Sequence, residues 1–148
     1  MITAGSCLSK FGDPRANEAK HMRLWIVPSE LCKGKIPKRI YCNSLLIEPL
    51  RRALSNIINR GLIDLLHTWD GCFYIRPKKG GHSLSMHAWG LAVDINAQSN
   101  MYGHRPTMPK ELVACFMDTG LFDWGGLWHT PDGMHFQLKT LNPTPVDK

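Results

Sequence analysis

Several features are missing from this sequence, and each absence removes a class of protein. No C-x-x-C pair occurs among the five cysteines (7, 32, 42, 72 and 115), so a zinc ribbon is not indicated, and their odd number leaves no complete disulfide set. Reduced, mostly buried thiols in a protein made in the cytoplasm are the expectation; nothing supports a Cys32–Cys42 bridge. No apolar run approaches the ~18 residues of a membrane span. The opening "MITAGSCLSKFGDPR" has no basic segment followed by a long apolar one, so a secretory signal is not expected. Internal repeats and low-complexity linkers are absent as well. Acidic residues are scarce: twelve Asp and Glu stand against eighteen Lys and Arg, a net charge of +6. The excess collects in "KGKIPKR" (33–39), "RR" (51–52) and "RPKKGG" (76–81). Such a surface suits a polyanion, whether nucleic acid, anionic membrane or cell-wall polymer, or serves solubility alone. Charge does not choose among them.

What is present fits one globular domain with a single core: 148 residues, 43% hydrophobic and 20% charged. Residues 1–40 read as an irregular N-terminal segment, with prolines at 14, 28 and 37, and residues 41–140 as the core of the domain. "EPLRRALSNIINRG" predicts a helix with Pro49 in its first turn and Gly61 as its stop. Leu50, Ala53, Leu54, Ile57 and Ile58 form its apolar face. Asp70–Gly71, between apolar and aromatic runs, predicts a hairpin turn. "GLAVDIN" and "MHFQLK" predict strands, and "MPKELVACFMDTG" a second helix, before and after which the chain shows no regular βαβ alternation. The expected class is therefore α+β, a small antiparallel sheet with flanking helices.

One residue in "GLAVDIN" is out of place. Asp94 stands between Val93 and Ile95, and a carboxylate among apolar neighbours is costly to bury unless a positive partner meets it. Six residues separate it from His87, and Gly90 breaks the chain between them, so the two side chains can converge from different elements. Ala92, on the same face as Asp94, leaves room beside it. His135 opens the last strand. Two imidazoles and one carboxylate are the protein ligands of a hydrolytic zinc site whose fourth position stays open. Asp132, three residues before His135, can be turned at Gly133 over that position, where a general base belongs.

These residues also carry a resemblance. "SMHAWGLAVD" fits S-x-H-x-x-G-x-A-x-D, and "DGMH" fits the D/E-x-x-H that follows. Together with "TWDGCF-x-x-R" and "WGGLW", in this order from about residue 40 to 138, they resemble the zinc D-Ala-D-Ala carboxypeptidase and L-Ala-D-Glu endopeptidase family, in its single-domain, phage-endolysin-like branch. The resemblance implies the zinc fold that these peptidases share with the hedgehog signalling domain. It implies that His87, Asp94 and His135 hold zinc, and that Asp132 is the general base and later proton donor. Arg76 would stand near the scissile carbonyl, and Ser85 would hydrogen-bond substrate. An aspartate in place of glutamate as the base has a shorter reach, though the endopeptidase branch commonly has it. The implied partner is the peptide stem of peptidoglycan, with anionic cell-wall polymers accounting for the positive surface and no nucleic acid required. A monomeric phage or prophage lytic enzyme is expected, made in the cytoplasm and acting on the wall after release, or carried on the virion.

Other readings compete at single residues. Arg76 can belong to the basic surface with Lys78 and Lys79, and Ser85 can simply cap the turn that carries His87. His82, His104 and His129 read as polar surface or as support for the site, and His21 and His67 as structural. Trp89, Trp124 and Trp128 read as packing or as cleft wall, Asp70 as a turn residue, and Asp123 falls outside the D-x-x-H frame. At the level of the chain, the alternatives are a non-catalytic zinc-containing binding module of the same fold, a nuclease using His87, Asn96 and His104, and a cysteine peptidase using Cys72 or Cys115.

Overall fold

The computed structural model describes residues 1–143. The chain opens with regular elements where an irregular segment was expected for residues 1–40. Helix α1 (Ala4–Phe11) starts at Thr3, whose hydroxyl accepts from Ser6 N at 3.0 Å while Ser6 Oγ accepts from Thr3 N at 3.0 Å. This reciprocal cap satisfies amide groups that a helix start leaves bare. Helix α2 (Pro14–His21) is capped by Asp13 and has Pro14 in first position, where a missing N–H is no loss. Strands β1 (Met22–Ile26) and β2 (Arg39–Asn43) then pair as an antiparallel ribbon. The prolines mark the boundaries of these elements. Pro14 opens α2, Pro28 precedes the 3-10 turn Ser29–Leu31, and Pro37 comes just before β2.

Helix α3 (Ser44–Asn59) begins well before Pro49, which lies inside it instead of in its first turn. Asn43 sets the start, accepting from Leu45 N at 2.9 Å. Leu46 extends the apolar stripe one turn toward the N-terminus, so that Leu46, Leu50, Ala53, Leu54 and Ile57 are all fully buried. Pro49 forfeits one backbone hydrogen bond but buries its ring on the same stripe. The stop is as expected. Gly61 takes φ 69°, Gly61 N reaches Ile58 O at 3.1 Å, and Leu62 N reaches Ile57 O at 2.9 Å.

The principal sheet has four antiparallel strands in the order β3 (Trp69–Gly71), β4 (Ala92–Ile95), β6 (His135–Leu138), β5 (Phe122–Trp124). With helices packed against it, this is the α+β class expected. Asp70–Gly71 lies inside β3, and the hairpin turn comes later. Residues 72–77 run antiparallel to 84–87 through Ser85 N to Arg76 O (3.0 Å) and Tyr74 N to His87 O (3.3 Å), and the chain reverses at Lys78–Ser83. Asp70 is occupied holding Thr68 Oγ1 and Ala97 N. β5 falls in a Gly- and Trp-rich stretch that reads as loop.

Both faces of the two central strands are buried. One face is apolar: Val93, Ile95, Phe136, Leu138 and Phe122 lie in the core, where the sheet meets α4 (Lys110–Met117), and α4 in turn packs on α3. Phe116 of α4 stacks on Phe136 with ring centroids 4.1 Å apart and meets Phe122 edge-on at 5.3 Å. The opposite face carries Asp94, His135 and Gln137, so the hydrophobic layer behind them fixes where these polar side chains stand. Among the described residues, no helix is long and apolar enough to cross a membrane. Phe136→Ala should cost about 3–5 kcal/mol of stability, measured by urea unfolding. A cost below about 1 kcal/mol would contradict the seating of the sheet on α4 through this ring.

Candidate metal centre

Three chain segments bring His87, Asp94 and His135 together. Asp94 and His135 are directly opposite each other in the β4–β6 ladder, so their side chains share a face. His87 comes from the 3-10 turn Met86–Trp89, whose start is capped by Ser85 Oγ accepting from His87 N at 3.3 Å. Gly90 ends that turn at φ 67° and returns the chain into β4. A Cβ at Gly90 would stand 2.6 Å from Met22 Sδ and 2.7 Å from Asn43 N, so both conformation and space call for glycine.

The convergence is tight. His87 Nε2 lies 3.1 Å from Asp94 Oδ1, His135 Nδ1 lies 3.3 Å from the same oxygen, and the two nitrogens are 3.2 Å apart. Atoms bound about 2.0–2.1 Å from a tetrahedral zinc ion are about 3.3–3.4 Å from one another, so this near-equilateral triangle is close to one face of that tetrahedron. Among the described residues, these three form a group of ligand-type side chains close enough to share one ion. All three are buried.

The surrounding hydrogen bonds decide where the protons are. His87 Nδ1 sits 2.9 Å from the Cys72 carbonyl oxygen, which can only accept, so the ring proton is there and Nε2 presents a lone pair. His135 Nε2 sits 2.8 Å from Gln137 Oε1 by the same logic, leaving the Nδ1 lone pair inward. Asp94 Oδ2 accepts from the Tyr74 hydroxyl, while Oδ1 is buried without a hydrogen bond. Burial pushes the His87 pKa down, against the pull of Asp94, and favours the neutral ring. Burial alone would raise Asp94; positive charge held at the facing His135 and His87 nitrogens, as a proton or a cation, is what keeps the carboxyl well below the usual range. Three lone pairs thus face one another, and a cation is what fits among them. The donor set of two imidazoles and a carboxylate suits zinc.

Asp132, Arg76 and Ser85 line one cavity of about 570 Å³ together with His135. Asp132 is buried, and its Oδ1 has no hydrogen bond and stands 3.6 Å from Lys79 Nζ. Its backbone is pinned, with Asp132 N donating to Gly125 O at 2.9 Å and Asp132 O accepting from His135 N at 3.1 Å. Arg76 places its guanidinium 4.6 Å from the Tyr74 ring centroid and donates to Pro77 O. Ser85 does cap the turn of His87, which occupies an acceptor site of Oγ and leaves its O–H to donate. Asp123 lies on β5 opposite Gln137 and is not among the residues that line the cavity.

Three residues around the site escaped the sequence reading: Tyr74, Lys79 and Gln137. Gln137 had a usable signal, since two residues past His135 on a strand means the same face. Lys79 was hidden in a basic run, and Tyr74 in an aromatic one. His82, His104 and His129 are exposed, and Trp128 borders the cavity 5.3 Å from the His135 ring. Trp89 is fully buried, with its indole N–H on Gly12 O. Asn96, offered for a nuclease site, is consumed by backbone contacts to His67, Thr68 and Leu65. The five cysteines are free thiols. The neighbouring Cys42 and burial raise the Cys72 pKa, and burial raises that of Cys115, so neither is poised as a nucleophile.

The profile of the D-alanyl-D-alanine carboxypeptidase family matches residues 79–138. That segment holds His87, Asp94, Asp132 and His135, and it bears out the resemblance read from their motifs; Tyr74 and Arg76 precede it. No curated protein and no solved structure matches the chain. Gly90→Ala should destabilise the fold by more than about 1 kcal/mol, because alanine meets both a left-handed conformation and a filled space. Thermal unfolding measures this, and an unchanged midpoint would mean that the turn of His87 is not held as described.

Proposed function

We propose that this chain, whose residues 79–138 carry the signature of the D-alanyl-D-alanine carboxypeptidase family, is a zinc peptidase that hydrolyses peptide bonds in bacterial peptidoglycan. The observation that supports it most is the meeting of three inward lone pairs, from His87, Asp94 and His135, beside a cavity that also holds the buried carboxylate of Asp132, whose Oδ1 has no hydrogen bond and faces Lys79. In this reading His87, Asp94 and His135 hold zinc, which supplies Lewis acidity to the scissile carbonyl and acidity to the attacking water.

The chain's own groups complete the reaction. Asp132 takes a proton as water oxygen bonds to the carbonyl carbon, then gives it to the leaving nitrogen as the C–N bond breaks. Arg76 offsets the negative charge that develops on the carbonyl oxygen. The Ser85 hydroxyl donates to a substrate carbonyl. Lys78 and Lys79 join Arg76 on the cavity wall, a cationic lining suited to the carboxylates of peptidoglycan stems. The bond cleaved is of the L-Ala–D-Glu or the D-Ala–D-Ala type. The biological role that fits is a monomeric phage or prophage lytic enzyme acting on the wall after release or from the virion, with anionic wall polymers as secondary partners. We read the chain as one peptidase domain with its core in 41–140, on which residues 1–40 pack. A non-catalytic zinc module of the same fold is the second reading, and it leaves the Asp132 carboxylate without a purpose.

Mass spectrometry of muropeptides released from purified cell walls tests the activity and identifies the bond. New peptide termini should appear and should vanish with a chelator; intact stems after incubation with the zinc-loaded protein would reject the proposal. His87→Ala, Asp94→Ala and His135→Ala should each lose zinc and activity together, measured by metal content and turnover. Asp132→Asn should keep zinc and lower kcat by about 10²–10⁴-fold. A wild-type rate in that variant would remove Asp132 from its role.

A further inference from the structure

Tyr74 touches three of the residues that matter in this site. Its hydroxyl donates to Asp94 Oδ2. Its ring stacks on the His87 imidazole, with centroids 4.2 Å apart and planes at 24°. The Arg76 guanidinium lies over the same ring, 4.6 Å from its centroid. The backbone adds to this, since Tyr74 N donates to His87 O at 3.3 Å and Cys72 O, two residues earlier, takes the His87 ring proton at 2.9 Å. Segment 72–76 therefore holds His87 by its backbone carbonyl, its ring proton and its ring face.

We infer that Tyr74 is a positioning residue that sets both the single-oxygen orientation of Asp94 and the ring plane of His87 toward a shared metal ion, and that seats Arg76 beside them. The inference rests on the metal reading above. A carboxylate rotates about its last side-chain bond over a broad, shallow well. Unless Oδ2 is held, Oδ1 has no reason to stay on the line between the two imidazoles. The Tyr74 hydroxyl holds Oδ2, and no other hydrogen bond does so among the described residues. An imidazole likewise turns about its own bond unless its proton and its face are both engaged, and Cys72 O and the Tyr74 ring engage them. Outer groups that orient ligands in this way change metal affinity by about 10–100-fold when removed. No sequence pattern places Tyr74 in this role, because its partners lie 13 and 20 residues away.

The test is zinc affinity, measured by competition with a chromophoric chelator for the full chain and for two variants, with thermal unfolding of each in the metal-free and zinc-loaded states. Tyr74→Phe keeps the ring and loses only the hydroxyl; it should weaken zinc binding about 10-fold or more. Tyr74→Leu loses the stacking as well and should bind more weakly still. The metal-free unfolding temperature of Tyr74→Phe should stay near that of the wild type, while its rise on adding zinc shrinks. Wild-type affinity in Tyr74→Phe would overturn the inference and leave the metal site standing. An equal drop in unfolding temperature with and without zinc, at unchanged affinity, would reduce Tyr74 to a packing residue. Absence of zinc binding in the wild type would remove the metal reading and this inference with it.

Discussion

Two imidazole nitrogens and a carboxylate oxygen, 3.1–3.3 Å apart and buried, repel one another unless positive charge lies among them. Among the described residues, the hydrogen bonds around the three groups leave that repulsion in place. The proton of His87 is committed to Cys72 O, that of His135 to Gln137 Oε1, and the second oxygen of Asp94 to the Tyr74 hydroxyl. Each group has been turned so that its remaining electron pair points at the same place. Hydrogen bonding among the three would need an additional proton, beyond those that the outer partners hold.

The fold can sustain this arrangement because the cost is local and the support is not. The sheet presents its polar face to the site and its apolar face to α4, where Phe136 stacks on Phe116 and Trp124, and Phe122 meets Phe116 edge-on. That packing sets the β4–β6 register, and the register in turn sets Asp94 against His135. His87 arrives by a separate route, through a turn that exists only because Gly90 reverses it and residues 72–76 pair with it. Asp132 is fixed by backbone bonds to Gly125 and His135 at the edge of the same cavity, so its position relative to His87, Asp94 and His135 follows from the sheet as well.

The site was largely legible in the sequence because its chemistry is conspicuous there. A carboxylate inside an apolar strand, a glycine between it and a histidine, and an aspartate three residues before a second histidine each violate ordinary strand patterning. The supporting residues do not. Tyr74 and Lys79 look like members of an aromatic run and a basic run, and only contacts across 20 and 53 positions give them their roles. In the fold, the stop of α3 at Gly61 was readable from its turn chemistry, whereas its start was misplaced because Pro49 resembles a first-turn proline. The true start depends on Asn43 as a cap and on Leu46 reaching the core. Residues 1–40 appeared irregular because their prolines dominate the pattern, though Pro14 and Pro28 sit at element boundaries where proline is compatible with regular structure. Asp70–Gly71 has the composition of a hairpin turn, but pairing with β4 draws it into a strand.

The most direct measurement is X-ray absorption at the zinc edge on protein loaded with zinc and freed of excess. One zinc per chain, with two imidazole nitrogens and a carboxylate oxygen at about 2.0–2.2 Å, is the result this account predicts. Less than stoichiometric metal after loading, or a sulfur-containing shell drawn from the cysteines, would contradict it.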